Sequence, residues 1–145
     1  MSDTNFIITL AWPEGMVISA GAWYDGVAST NGKYRVGHSA ILLVNGTTNR
    51  VHYFDFGRYH TPKGYGRVRD IETDADVEVI NATINGSEID NIEDILHSVS
   101  EMKTTHGEGK MYASLISNID FDKAYIRAKG LQDKGMLPYG PFVME

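Results

Sequence analysis

The sequence predicts an α+β domain: an antiparallel sheet with helices packed on one side of it. Three observations carry that prediction. Apolar stretches of strand length lie at 5–12, 35–44 and 50–56, and the segment Asn45-Gly46-Thr47-Thr48 between the last two is a strong turn signal. The two helical periodicities come late in the chain, so strands and helices are segregated rather than alternating. At 145 residues the chain fits one domain, spanning 1–145.

Residues 5–12 read as a strand that Pro13 ends, because proline has no N–H for the ladder. Residues 15–30, with Trp23, Tyr24 and three glycines, show no period and read as irregular or a short helix. Residues 35–44 form a strand. Its unbroken run Ala40-Ile41-Leu42-Leu43-Val44 implies burial on both faces. The return strand is 50–56. Residues 57–69, with three glycines and a proline, read as an ordered loop, and 76–80 as a short strand. A helix is expected from Ser87, with Asp90 in the capping-box position. Ile89, Ile92, Ile95, Leu96, Val99 and Met102 share its apolar face. Residues 110–116 read as a strand. Asp120 is placed to cap a second helix carrying Phe121, Ala124, Tyr125, Ala128 and Leu131 on one face, with Gly135 as its stop. The sequence closes on Tyr139-Gly140-Pro141-Phe142-Val143-Met144-Glu145 without a polar tail, which reads as a segment interrupted before its next element.

Composition bounds the function. There is no cysteine, which excludes a disulfide, a thiolate metal site and a cysteine nucleophile within these residues. The N-terminal segment is acidic and polar, and the apolar run after it is too short for a signal peptide or a membrane span, so a cytoplasmic location is expected. A net charge of −6 argues against nucleic-acid binding. That charge is unevenly spread. Between Gly26 and Arg69 the lone acid is Asp55, against seven Lys and Arg, whereas 70–94 hold nine acids and no Lys or Arg. The plain reading is two differently solvated faces. The sharper one is an anion-attracting region around Arg58, Lys63, Arg67 and Arg69.

The hairpin carries the candidate chemistry. If its loop is the four residues Asn45 to Thr48, counting outward from Val44 opposite Asn49 sets His38 directly opposite Asp55, within hydrogen-bond reach. A histidine held by a carboxylate has a fixed tautomer and a supported imidazolium, as a general base needs. A five-residue loop would undo this, setting His38 against Phe56 and bringing His52 onto the face of His38. The plain alternative is a buried histidine satisfied by a neighbouring acid. His38, His52, Asp55 and His60 also supply enough nitrogen and oxygen for a metal, although His52 and Asp55 lie on opposite faces of a regular strand. His97 and His106 read as structural or solvated. Arg58, Arg67 and Arg69 could hold a carboxylate or phosphate bidentately, or anchor loops against the acidic stretch. Tyr53, with Trp12, Trp23 and Tyr24, reads as core or pocket wall. The 63–67 segment has glycines but not the spacing of a P-loop.

The segment Gly37-His38-Ser39-Ala40-Ile41-Leu42-Leu43, a turn, then Val51-His52-Tyr53-Phe54-Asp55 resembles the circularly permuted branch of the NlpC-type papain-like hydrolases, where lecithin retinol acyltransferase and its relatives belong. The stretch Tyr53 to Tyr59 with Gly66-Arg67-Val68-Arg69 is similar to a further family of that clan whose substrate the residues do not reveal. The resemblance implies a papain-like fold and a catalytic histidine at His38. It implies an orienting group at Asp55 or His52, and a nucleophilic cysteine late in the chain, in an Asn-Cys segment opening a helix. Residues 120–142 look like the approach to such a segment, but no cysteine is present, and Ser39 points to the face opposite His38. The expectation is therefore the His-bearing portion of a thiol hydrolase or acyltransferase acting on amide or ester bonds, with Arg58, Arg67, Arg69 and Tyr53 toward the substrate and no cofactor. Its partners would be a small-molecule or peptide substrate, and its own C-terminal segment or a second chain. The rival expectations are a non-catalytic binding module on the same fold and a metal-dependent enzyme using His38, His52 and Asp55.

Overall fold

A computed structural model describes residues 4–19, 23–24, 27–28, 33–57, 65–70, 79–101, 110–135 and 137–138. The chain runs β1 (Phe6–Ser19), β2 (Trp23–Tyr24), β3 (Val27–Ala28), β4 (Lys33–Val44), β5 (Val51–Gly57), β6 (Tyr65–Asp70), β7 (Ile84–Asn85), β8 (Glu88–Ile89), α1 (Ile92–Glu101), β9 (Tyr112–Ser117), α2 (Phe121–Asp133) and β10 (Leu137–Pro138). The main sheet has the order β10-β6-β5-β4-β1-β9, and every neighbouring pair is antiparallel. The α+β class and the antiparallel sheet are as the sequence predicts.

The helices lie on both faces of that sheet, not on one. Phe6, Ile8, Leu10, Trp12, Leu42, Val44, Val51 and Tyr53 share one core with Ile95 and Val99 of α1. Leu43, Phe54 and Val68 share another with Phe121 and Ala128 of α2. A strand alternates its side chains between faces, so the unbroken apolar run of β4 needs cover on both sides.

Several element boundaries differ from expectation; within 15–30, read as irregular or a short helix, β1 continues to Ser19 and β2 pairs with β3. Strand β1 runs past Pro13: its pairing with β4 jumps from Trp12↔His38 to Met16↔Val36, so the proline falls in a ladder irregularity, where a missing N–H is tolerated. Residues 65–70, read as loop, form β6 and pair with β5. Gly86 (φ +63°) and Ser87 are the two-residue turn of the small β7–β8 hairpin, so Ser87 caps no helix and α1 begins at Ile92. Asn91 just before α1 accepts from the Thr83 N–H at 2.7 Å and donates to the Asn81 carbonyl at 2.9 Å. Of the expected strand at 76–80, residues 79–80 carry no strand pairing and 76–78 lie outside the described residues, as does Met102.

Helix α2 is built as expected. Asp120 Oδ1 accepts from the Lys123 N–H at 3.1 Å, and Gly135 takes the left-handed conformation (φ +71°) that ends the helix. Ala128 and Phe121 are buried, and Ala124, Tyr125 and Leu131 pack beside them.

Candidate functional site

The site is set by the β4–β5 turn, whose loop has six residues rather than four. Asn45 Oδ1 accepts from the N–H groups of Thr47 (2.8 Å) and Thr48 (3.2 Å), and Asn49 adopts φ +64°. Asn tolerates that left-handed conformation, which keeps Asn49 and Arg50 in the loop, and the ladder opens at Val44↔Val51. Asp55 is therefore opposite Ala40, and His38 is its diagonal neighbour. The expected register was wrong by two residues. An even slip preserves the face of every side chain, so His38 and Asp55 still meet. His38 Nε2 lies 3.4 Å from Asp55 Oδ2, with both side chains fully buried.

That approach is an ion-pair distance rather than a full hydrogen bond. Among the described residues neither ring nitrogen of His38 has a hydrogen-bond partner. The direct cross-strand neighbour of His38 on β1 is Trp12, whose ring centroid lies 5.3 Å from the imidazole. The bulky indole fixes the ring plane on one side.

Asp55 is held from its own strand and from β6. Tyr53, two residues earlier on β5 and so on the same face, donates its hydroxyl to Oδ2 at 2.7 Å. Arg69 stands directly opposite on β6 and donates from Nε to Oδ1 at 2.8 Å and from Nη2 to Oδ2 at 3.1 Å. Burial alone would push the Asp55 carboxyl up. The facing His38 ring, the Arg69 hydrogen bonds and charge, and the Tyr53 hydroxyl outweigh it and hold Asp55 below the ordinary carboxylate range.

The other candidates separate from this cluster. His52 points to the opposite face, where its ring packs on Phe121 (5.5 Å between centroids) and edge-on to Tyr125 (5.2 Å). The sheet stands between it and His38, so His38, His52 and Asp55 do not converge on one point. Arg69 and Tyr53 are buried and turned onto Asp55. Arg67 pairs with Gly57 and is half-buried, on the same face as Arg69. Arg58, His60, Lys63 and His106 lie outside the described residues, as do the side chains of Trp23 and Tyr24. His97 is exposed, 3.6 Å from Glu101. An apolar cavity of about 520 Å³ lies on the α2 face, lined among others by Ser39, Ile41, Phe54, Arg127 and Leu131. Sequence reasoning missed the role of Arg69. Its signal was the lone acid among seven cations, since a buried carboxylate needs a cation beside it.

Residues 7–145 match the family described as type VI secretion system effector TseH-like. The chain belongs to that family. The crystal structure of the type VI secretion system effector TseH matches with a TM-score of 0.66 at 24% identity, over 97% of this chain and 69% of that chain. A search of curated proteins found no match. The TseH-like fold agrees with the coarse papain-like relationship expected from the hairpin; it does not reach the lecithin retinol acyltransferase branch. Among the described residues of this TseH-like chain, no helix is long and apolar enough to cross a membrane.

Proposed function

We propose that this TseH-like chain carries the histidine–carboxylate half of a papain-like thiol hydrolase or acyltransferase acting on amide or ester bonds. The observation that carries the reading is His38 Nε2 turned toward the Asp55 carboxylate at 3.4 Å on one face of the sheet. A proton on Nε2 faces the Asp55 carboxylate, which favours that tautomer and leaves Nδ1 as the basic nitrogen. Nδ1 takes the proton of a thiol, the thiolate attacks the substrate carbonyl carbon, and the imidazolium returns the proton to the departing nitrogen or oxygen. Because residues 1–145 hold no cysteine, the thiol comes from a segment or chain outside them.

Arg67 extends the reading to a substrate bearing an anionic group. It pairs with Gly57, two pairs nearer the His38 end of the sheet than Arg69↔Asp55 and on the same face. A guanidinium there suits a carboxylate or phosphate.

The test uses the native gene product, a thiol-reactive active-site probe and amide and ester substrates. His38→Ala is expected to abolish labelling and to cut hydrolysis by about 100-fold or more. Labelling and hydrolysis that survive His38→Ala would overturn the reading.

A second reading, a non-catalytic binding module, is favoured by two observations: the His38 side chain is fully enclosed, and the apolar cavity lies on the other face. It expects an apolar ligand whose affinity is reduced by Ile41→Asp in the cavity wall and unchanged by His38→Ala.

A further inference from the structure

Asp55 has a closer relationship with Arg69 than with the histidine it would orient. Arg69 is its direct cross-strand neighbour, where Cβ atoms approach to about 4.5–5.5 Å, whereas His38 is a diagonal neighbour that reaches it only through side-chain length. Both carboxylate oxygens are taken: Oδ1 by Arg69 Nε, and Oδ2 by Arg69 Nη2 and the Tyr53 hydroxyl. His38, Asp55, Arg69 and Tyr53 are all buried, at 4%, 4%, 6% and 1% exposure, so the cluster is shielded from water.

We propose that Arg69 and Tyr53 are positioning residues that fix Asp55 as an immobile, ionised acceptor and thereby select the His38 tautomer with its proton on Nε2. The inference rests on the thiol-hydrolase reading for its effect on rate, and on the buried cluster alone for its effect on the tautomer. A buried carboxylate without a cation takes up a proton, and a protonated Asp55 could donate toward Nε2 and leave the ring in the other tautomer. A carboxylate tied at one oxygen would rotate about its terminal torsion, which is soft. The bidentate guanidinium prevents the rotation, and its charge keeps the group an acceptor. The Tyr53 hydroxyl, on the same strand and face, holds Oδ2 from a second direction. Lysine at position 69 would keep the charge but lose the two-point grip.

The experiment compares wild type, Arg69→Lys and Tyr53→Phe of the native gene product. It reads imidazole ¹⁵N signals for the His38 tautomer, thermal unfolding for stability, and kcat and KM for thiol-dependent hydrolysis. Wild type is expected to show one dominant tautomer, and Arg69→Lys a mixture of both. Arg69→Lys should also lower kcat by about 10-fold or more, the worth of a hydrogen bond to a charged group, with KM within about twofold. Tyr53→Phe should move both readouts the same way by a smaller factor. An unchanged tautomer in folded Arg69→Lys, or in Tyr53→Phe if Arg69→Lys does not fold, overturns the proposal. If no hydrolysis depends on His38, the hydrolase reading fails, and the tautomer signals still decide the positioning claim.

Discussion

Arg69 stands directly across the sheet from Asp55, and its guanidinium spans both carboxylate oxygens, at 2.8 and 3.1 Å. The pair makes the acid limb of stability predictable. Asp55 titrates below the ordinary carboxylate range in the fold. A group depressed in this way stabilises the folded state above its unfolded value of about 3.9, and that contribution is lost as pH falls through the lower folded value. Asp55→Asn leaves Arg69 buried without its carboxylate and should cost about 3 kcal/mol at pH 7. The deficit relative to wild type should shrink below about pH 4, as Asp55 of the unfolded wild-type chain takes up a proton, and go on shrinking toward the lower folded value. Urea unfolding of both proteins from pH 7 to pH 3 checks this. A deficit that stays constant across that range would mean that the carboxylate charge is not what Asp55 contributes.

The two hairpin histidines should separate cleanly. His38 belongs to the Asp55 cluster, and His52 packs on Phe121 and Tyr125 beneath α2. His52→Ala removes aromatic contacts and should cost about 1 kcal/mol of stability, with hydrolysis by the native product unchanged per folded molecule. His38→Ala should cut hydrolysis by about 100-fold or more. Loss of activity in folded His52→Ala would place His52 in the chemistry and contradict the face assignment.

That separation shows what could be read from the sequence. The meeting of His38 and Asp55 was readable because side-chain facing has period two. The loop is six residues rather than four, and an even error keeps the faces. The loop length itself was not readable, because it turns on Asn49 entering a left-handed conformation that its neighbours do not announce. Strand β6 was hidden by Gly64, Gly66 and Pro62, which read locally as loop. What makes it a strand is long-range: Arg69 meeting Asp55, and Val68 entering the core with Phe54. The helix start at Ile92 was hidden because Gly86-Ser87 serves a hairpin turn. Cover on both sides of the sheet was legible in the run Ala40 to Val44, which packs toward α1 on one face and α2 on the other. Helix α2 was read correctly because its signals, Asp120 and Gly135, act within one turn of the backbone they satisfy.

Gly46 is fixed by close approach rather than by its own torsion. A Cβ there would meet the backbone of Thr4, and its N–H donates to Asn5 Oδ1 at 2.7 Å. Gly46→Ala should push the turn away from residues 4–5, weaken that bond and cost about 1–3 kcal/mol. The measurement is thermal unfolding, with amide exchange at Gly46 as the local readout. Faster exchange at Gly46 is expected. Unchanged exchange would mean that the turn accommodates the methyl group without moving.

Lys129 tests how α2 is tied to the sheet. Its Nζ lies 2.7 Å from Asp70 Oδ2, bridging the helix to the last residue of β6. The hydrogen bond to Asp70 raises the Lys129 pKa against the opposing effect of burial, with the Asp70 charge adding to it. A raised lysine contributes stability that is fully present below its unfolded value of about 10.4 and is lost as pH rises through the higher folded one. Lys129 is partly exposed and Asp70 is nearly enclosed, so solvent screens the lysine end of the bridge more than the carboxylate end. Lys129→Met should cost about 1 kcal/mol at pH 7, since the long apolar stem is retained while Asp70 loses a charged donor. Adding Asp70→Asn removes the charge that Lys129 pairs with, so the second loss should be smaller than Asp70→Asn costs in wild type. A double-mutant cycle at pH 7 checks it: strong coupling between the two substitutions is expected, and simple additivity would show that the bridge does not tie α2 to the sheet.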